Sequence, residues 1–125
     1  MNSVLFKKIE ESTSHKKSRV SLANFCLKTK ENIVELVEIA FNLKHQHHVK
    51  AFWVLELVCE KKLKLFIPFF NSFCSVLPNI TNDSSIRPSA KICMFLAKSN
   101  HRKNGISLTK EQEHIIIEVS LDRLI

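Results

Sequence analysis

The chain is organised around the segment His48-Val49-Lys50-Ala51-Phe52-Trp53-Val54-Leu55-Glu56-Leu57-Val58-Cys59, which contains the only tryptophan. Its apolar residues recur at steps of three and four, and this spacing predicts a helix. These positions leave little of the helix circumference for water. We therefore expect this helix to be buried, with neighbouring helices on at least two sides.

The composition favours a single all-α domain. The 125 residues include one glycine and three prolines, fewer than the tight turns of a β protein or a phosphate-binding α/β protein require. The four cysteines lie far apart within apolar helical segments, as expected of small buried residues in a reducing compartment. No signal peptide or membrane-spanning segment is recognisable, so we expect a soluble, cytoplasmic protein.

Helical periodicity predicts helices near residues 3–11, 15–28, 31–42, 48–59, 63–77, 85–99 and 109–125. Pro68 should kink the helix over 63–77 or delay its regular part, and Pro88 favours Ser85 as a nearby helix cap. Thr109 and Gln112 match a capping box before the last helix. The main predicted core residues are Phe52, Trp53, Leu55, Phe69, Phe70 and Ile92. Val34 belongs to the predicted buried side of the helix over 31–42, and Ile67 to that of the helix over 63–77.

Two helices match at a constant offset. Residues 37 positions apart correspond in type or place: Val49 and Ile86, Lys50 and Arg87, Trp53 and Ala90, Leu55 and Ile92. Helix pairs repeated at about forty residues are typical of α-solenoids, in which each unit completes the core of its neighbour. We predict a HEAT- or armadillo-like right-handed superhelix with an N-terminal helical cap (1–30), two repeats (31–61 and 62–100) and the first helix of an incomplete third repeat (107–125).

The aliphatic-basic pair that opens each second helix, with a small or aromatic residue three or four positions later, resembles the HEAT repeat. Residues 52–59 and 85–93 look like segments of short bacterial HEAT-like proteins that automated naming often labels adenylosuccinate lyase. The likeness covers most of the chain from about residue 31 onward. Members of that group continue through further helices, so the resemblance implies a shortened member whose helix over 109–125 lacks its usual partner.

Lyase activity is not expected from this resemblance. Ser84-Ser85-Ile86-Arg87-Pro88-Ser89-Ala90-Lys91 is similar to the start of the lyase signature loop, but the glycine is missing, the lysine falls one position late and no asparagine follows. That family also builds its active site between subunits of a far longer chain. No nucleophile paired with a base is recognisable elsewhere in the sequence. We therefore expect no catalytic residue, no cofactor and no enzyme activity.

Three histidines, His45, His47 and His48, precede the central helix. His45 and His48 are candidates for a zinc site, but no cysteine or carboxylate close by in the sequence supplies a third ligand. We expect solvated loop histidines and no metal.

The chain is basic, with a formal net charge of +7. The candidate binding residues form a predicted basic face: Lys16, Lys17, Arg19, Lys50, Arg87 and Lys91. In a solenoid, Lys50 and Arg87 should form a ladder, and some DNA glycosylases with HEAT-like repeats use such a basic face to hold duplex phosphates. We favour the interpretation that these cations pair with carboxylates such as Asp83 and keep the repeats in register, and phosphate binding is the alternative.

These observations favour a non-catalytic interaction scaffold. It would bind a protein partner, or itself through the helix over 109–125. The alternative is a nucleic-acid-binding module that uses Lys50, Arg87 and Lys91. An exposed apolar patch would favour the scaffold, and a continuous positive groove would favour the nucleic-acid module.

Overall fold

The computed structural model describes residues 3–100 and 105–124, with side chains up to residue 118, and this part of the chain is helical without strands. Its α-helices are α1 (Val4–Glu11), α2 (Lys16–Cys26), α3 (Lys30–Phe41), α4 (His48–Lys62), α5 (Phe70–Val76), α6 (Asp83–Asn100) and α7 (Lys110–Leu124). Two 3₁₀ segments, Leu63–Phe69 and Leu77–Asn79, flank α5. The predicted all-α class is therefore confirmed. Within the described residues, no helix has the length and apolar character needed to cross a membrane.

Helix α4 is the central element. It packs against α2, α3 and α6, and its residues Ala51, Phe52 and Leu55 have no exposed surface. Helix α3 contacts α5, and α5 contacts α7. The helices therefore form two rows, α2-α4-α6 and α3-α5-α7, and α1 packs against α2, α3 and α4.

A phenylalanine cluster joins the two rows. The ring centroid of Phe41 lies 5.9 Å from that of Phe52 and 6.0 Å from that of Phe73. Phe66 packs edge-on against Phe73 at 5.1 Å, and both rings are buried. Aromatic pairs of this kind add about 0.5–1.5 kcal/mol to the burial of their area. The cluster therefore fixes the 3₁₀ segment and α5 against α3 and α4.

Four of the predicted core residues, Phe52, Leu55, Phe70 and Ile92, are buried as expected. The prediction was wrong for Trp53 and Phe69, which are only partly buried. Phe69 lies in the 3₁₀ segment, whose turn of three residues moves a side chain off the face that a continuous α-helix gives it. Trp53 lies at the edge of α4, where a cleft opens toward α6.

Val34 and Ile67 are also more exposed than their apolar character predicts, at 42% and 37%. Val34 lies in α3, and Ile67 lies in the 3₁₀ segment Leu63–Phe69. Helical spacing places a side chain on the apolar arc of its helix, but a neighbouring helix must cover that arc to bury it. Part of the exposed apolar surface therefore lies along the α3 side of the molecule.

Pro68 alters the predicted helix over 63–77 more than a kink would. Residues Leu63–Phe69 wind as a 3₁₀ helix, and α5 begins only at Phe70. In an α-helix, Pro68 could not donate to the carbonyl of Lys64, and its ring would clash with that carbonyl. The delayed start of the regular helix is confirmed, whereas a kink within one continuous helix was wrong.

Helix α6 begins earlier than Pro88 suggested. The N–H of Ser84 donates to the side-chain oxygen of Asn82 at 2.8 Å, so Asn82 caps the helix and the predicted cap, Ser85, does not. Ser85 is fully buried in the first turn. Pro88 therefore lies inside α6, where it deprives the Ser84 carbonyl of its usual helical donor.

The predicted capping box before α7 is confirmed. The N–H of Gln112 donates to the Thr109 hydroxyl at 3.1 Å, and the N–H of Thr109 donates to the Gln112 side chain at 3.0 Å. Within α7, Ile116 is buried and Ile117 is 46% exposed. The apolar residues expected to form an interface beyond this point, including Ile125, lie outside the described side chains.

Candidate functional site

Trp53 links α4 to α6 at the backbone carbonyl that Pro88 leaves without a helical donor. The Trp53 indole N–H donates to the Ser84 carbonyl at 3.0 Å. Without proline at position 88, this carbonyl would accept the N–H of that residue within the helix. Arg19 of α2 lies over the Trp53 ring, 4.9 Å from its centroid, as a cation–π contact. Trp53 thus joins α2, α4 and α6.

A cleft of about 390 Å³ opens beside this contact. Two cations, Arg19 and Arg87, line it together with two carboxylates, Glu56 and Asp83. Burial raises the pKa of Glu56, although the nearby positive charges of Lys91 and Arg19 act in the opposite direction. The cleft therefore has mixed charge, and an extended polyanion would meet carboxylates along it.

The predicted basic residues divide into two groups. Arg87 lines the cleft, and the Lys91 ammonium lies 3.8 Å from the Glu56 carboxylate. The charges of Lys91 and Arg19 both act on Glu56. Lys50 points to a different neighbour, because its ammonium donates to the Glu10 carbonyl of α1 at 2.8 Å.

The remaining predicted cations, Lys16 and Lys17, are exposed in the first turn of α2. Arg19 in the next turn is held by two contacts, since its Nε–H donates to the Ser14 carbonyl at 2.8 Å and its guanidinium covers Trp53. Part of the positive charge is therefore used to fix neighbouring segments, and Lys16, Lys17 and Arg87 remain directed to solvent.

His48 makes a second link between α4 and α6. It is 8% exposed, with its Nδ1 3.4 Å from the Ala40 carbonyl and its Nε2 3.5 Å from the Ser85 hydroxyl. The Ser85 hydroxyl donates to the Asn82 carbonyl at 3.1 Å. The expectation of a solvated loop histidine was therefore wrong for His48, because the adjoining α6 covers the start of α4.

His45 and His47 pack around Phe6 of α1, with ring centroids 5.6 and 5.7 Å from that of Phe6. Burial lowers the pKa of His45, and the positive charges of neighbouring His47 and His48 lower it further. His47 Nε2 lies 3.7 Å from the Glu10 carboxylate. In the described part of the chain, no group of three or more His, Cys, Asp or Glu side chains is arranged to hold a metal ion.

The cysteines are placed as packing residues. Cys26, Cys59 and Cys93 are buried, and Cys74 is partly buried. Burial raises the pKa of Cys26 to about 12 and raises the pKa values of Cys59 and Cys74 as well. These three thiols are therefore protonated at neutral pH and lack the nucleophilic thiolate form.

An apolar groove that sequence reasoning missed lies between α3 and the 3₁₀ segment. This α3 groove has a volume of about 360 Å³, and its lining residues are Lys30, Ile33, Val34, Lys64, Leu65, Pro68 and Phe69. Its lining is apolar except for the two lysines. Pro68 was the signal that could have located it, because a segment barred from the α-helical conformation packs differently against its neighbour.

Comparisons of the chain with protein families, with curated proteins and with solved structures found no match. The HEAT-like resemblance therefore gains no support from a relative and stays a prediction.

Proposed function

We propose that the chain is a non-catalytic, HEAT-like helical scaffold that binds an amphipathic segment of a partner protein in the α3 groove. The repeat arrangement is supported by the two rows of helices and by the contact between His48 and Ser85, which are themselves 37 residues apart. Leu55 and Ile92, which correspond at the same offset, are both fully buried. The protonated cysteines are consistent with a non-catalytic role.

The observation that carries this proposal is the composition of the α3 groove. Val34 is 42% exposed on one wall, and Pro68 and Phe69 line the opposite wall. Exposed apolar surface in a concave setting is typical of an interaction site. The wall that Pro68 and Phe69 form is held in place, because the adjacent Phe66 is buried in the phenylalanine cluster.

The two lysines indicate the chemistry of the partner. Lys30 and Lys64 both line the groove, and neither takes part in an ion pair among the described residues. A helix whose apolar face enters the groove would place flanking Asp or Glu side chains beside these lysines. Charge complementarity of this kind contributes to specificity and to the rate of association. We therefore expect an apolar segment with acidic flanks.

A displayed library of random peptides, selected on the intact protein, tests this proposal. The selected peptides should carry apolar residues at helical spacing with acidic flanks, and Val34→Asp should weaken their binding by about tenfold or more because a carboxylate would enter the apolar contact. Met94→Asp is the matched control, since Met94 is 39% exposed on α6. Binding should not change in that variant.

Two results would refute the proposal. One is a selection whose peptides bind wild type and Val34→Asp equally well. The other is self-association in sedimentation velocity that Val34→Asp abolishes, since a second copy of the chain would then occupy the groove. If a dimer instead persists in Val34→Asp but is lost in Ile117→Asp, self-association occurs through α7. The groove then remains available to the partner protein.

A further inference from the structure

A second groove lies between α1 and α2, away from the Trp53 cleft. Helical spacing brings Lys8 and Glu11 of α1 opposite Ser18, Ser21 and Phe25 of α2, and the groove between them measures about 470 Å³. It is therefore large enough for a phosphate group together with part of the molecule that carries it.

Two ammonium groups converge on one aromatic ring in this groove. Lys8 Nζ lies 4.9 Å from the centroid of Phe25, and Lys28 Nζ lies 5.9 Å from it. The ring attracts both cations, whereas the cations repel each other. Neither lysine forms an ion pair among the described residues, so no carboxylate offsets this repulsion at close range.

The neutral groups beside the lysines are available as hydrogen-bond donors. Ser18 Oγ accepts the N–H of Thr13 at 3.0 Å, which leaves its own hydrogen free to donate. Asn24 Oδ1 accepts the Lys61 ammonium at 2.7 Å, which leaves the amide N–H₂ of Asn24 as a donor. Lys61 therefore brings a third positive charge to Asn24, which lines the groove.

We propose that the α1–α2 groove binds a phosphate group, with Lys8 and Lys28 as its charge partners and Phe25 as the ring that positions them. A phosphate offers several acceptor oxygens to converging donors, and its charge would relieve the repulsion between the two ammonium groups. Among the described residues, Glu11 is the one acidic side chain that lines the groove, so positive charge predominates there. The phosphate belongs either to a small phosphorylated compound or to a single-stranded nucleic acid.

Binding of pyrophosphate by calorimetry and of a fluorescent single-stranded oligonucleotide by anisotropy tests the site. Lys8→Gln with Lys28→Gln should weaken pyrophosphate binding about tenfold, as expected from the loss of two solvent-facing charge contacts. For the oligonucleotide, the negative slope of log affinity against log salt should become shallower by about 1.4. Phe25→Leu, which keeps an apolar side chain but removes the ring, should weaken binding about twofold to fivefold.

Lys44→Gln with Lys98→Gln is the matched control, because it removes the same charge from two exposed lysines elsewhere. Circular dichroism establishes that each variant is folded. Loss of affinity confined to the groove variants supports the site, and the ligand that binds more tightly identifies the source of the phosphate. Equal loss in the control variant, or no binding of either ligand by the wild type, overturns the proposal.

Discussion

The hydrogen bond from Trp53 to the Ser84 carbonyl should depend on Pro88. Proline at this position leaves the carbonyl without its helical donor, and Trp53 supplies one from α4 at 3.0 Å. In Pro88→Ala, the new backbone N–H can donate to the same carbonyl, so the indole N–H becomes less important. Substitution of Trp53 should therefore cost less stability in the alanine background.

The coupling is the difference between the costs of substituting Trp53 in the two backgrounds, and its size follows from the contacts of Trp53. Trp53→Phe removes a hydrogen bond worth about 0.5–1.5 kcal/mol and weakens the contact with Arg19 by up to about 0.5 kcal/mol. We expect a total cost of about 1–2 kcal/mol in the wild-type background. The cost should fall by about 1 kcal/mol in Pro88→Ala, because only the hydrogen-bond contribution is replaced there.

Urea denaturation of the wild type, the two single variants and the double variant measures the coupling. Far-ultraviolet circular dichroism must be the probe, since Trp53 is the only tryptophan. The cycle cancels the effect of Pro88→Ala on the unfolded chain, which is the same in both backgrounds. A coupling below about 0.3 kcal/mol would mean that the two substitutions are additive and would refute the explanation of how Pro88 is tolerated.

Two further predictions concern Glu56 and Cys74. Because the pKa of Glu56 is raised in the folded protein, its ionisation favours the unfolded chain, and the stability that the neutral carboxyl gives is lost as pH rises through the folded value. Glu56→Gln should therefore raise the free energy of unfolding at neutral pH, with a gain that shrinks on acidification below the ordinary value of 4.5. Urea melts at a series of pH values test this, with exposed Glu38→Gln as the control, and a loss of stability in Glu56→Gln at neutral pH would contradict it. Cys74 is the only cysteine of the four that is not buried, so a thiol reagent should label it first in the native protein and reach Cys26 and Cys59 only on unfolding. Mass spectrometry of Cys74→Ala checks this, and equally fast native labelling of Cys26 or Cys59 would count against it.

Local patterns predicted a large part of the fold. The spacing of Phe52, Leu55 and Ile92 identified buried helix faces, because a helix repeats over a few residues and places its apolar side chains accordingly. The capping box of Thr109 and Gln112 was equally accessible, since both partners lie within one turn. The absence of tight-turn residues was enough to favour an all-α class.

The sites were less accessible because they depend on contacts between distant residues. Pro88 suggested a helix start, yet it lies inside α6, where Trp53, 31 residues before Ser84, supplies the donor for the freed carbonyl. The burial of His48 likewise required α6 to cover the first turn of α4. Neither contact has a signal in the local sequence.

For the apolar and basic surfaces too, the local sequence predicted the residue types and the tertiary packing decided where they meet. Sequence periodicity identified Val34 as part of an apolar arc, and composition identified an excess of cations. The packing of helices that are far apart in the chain decides which apolar arc remains uncovered. It also decides which lysines meet at one ring. The sequence alone determined helix type, most helix positions and much of the core, because these follow from interactions over one or two turns. The tertiary structure alone decided the α3 groove, the Trp53 cleft and the convergence of Lys8 and Lys28 on Phe25, because each requires the packing of separate helices.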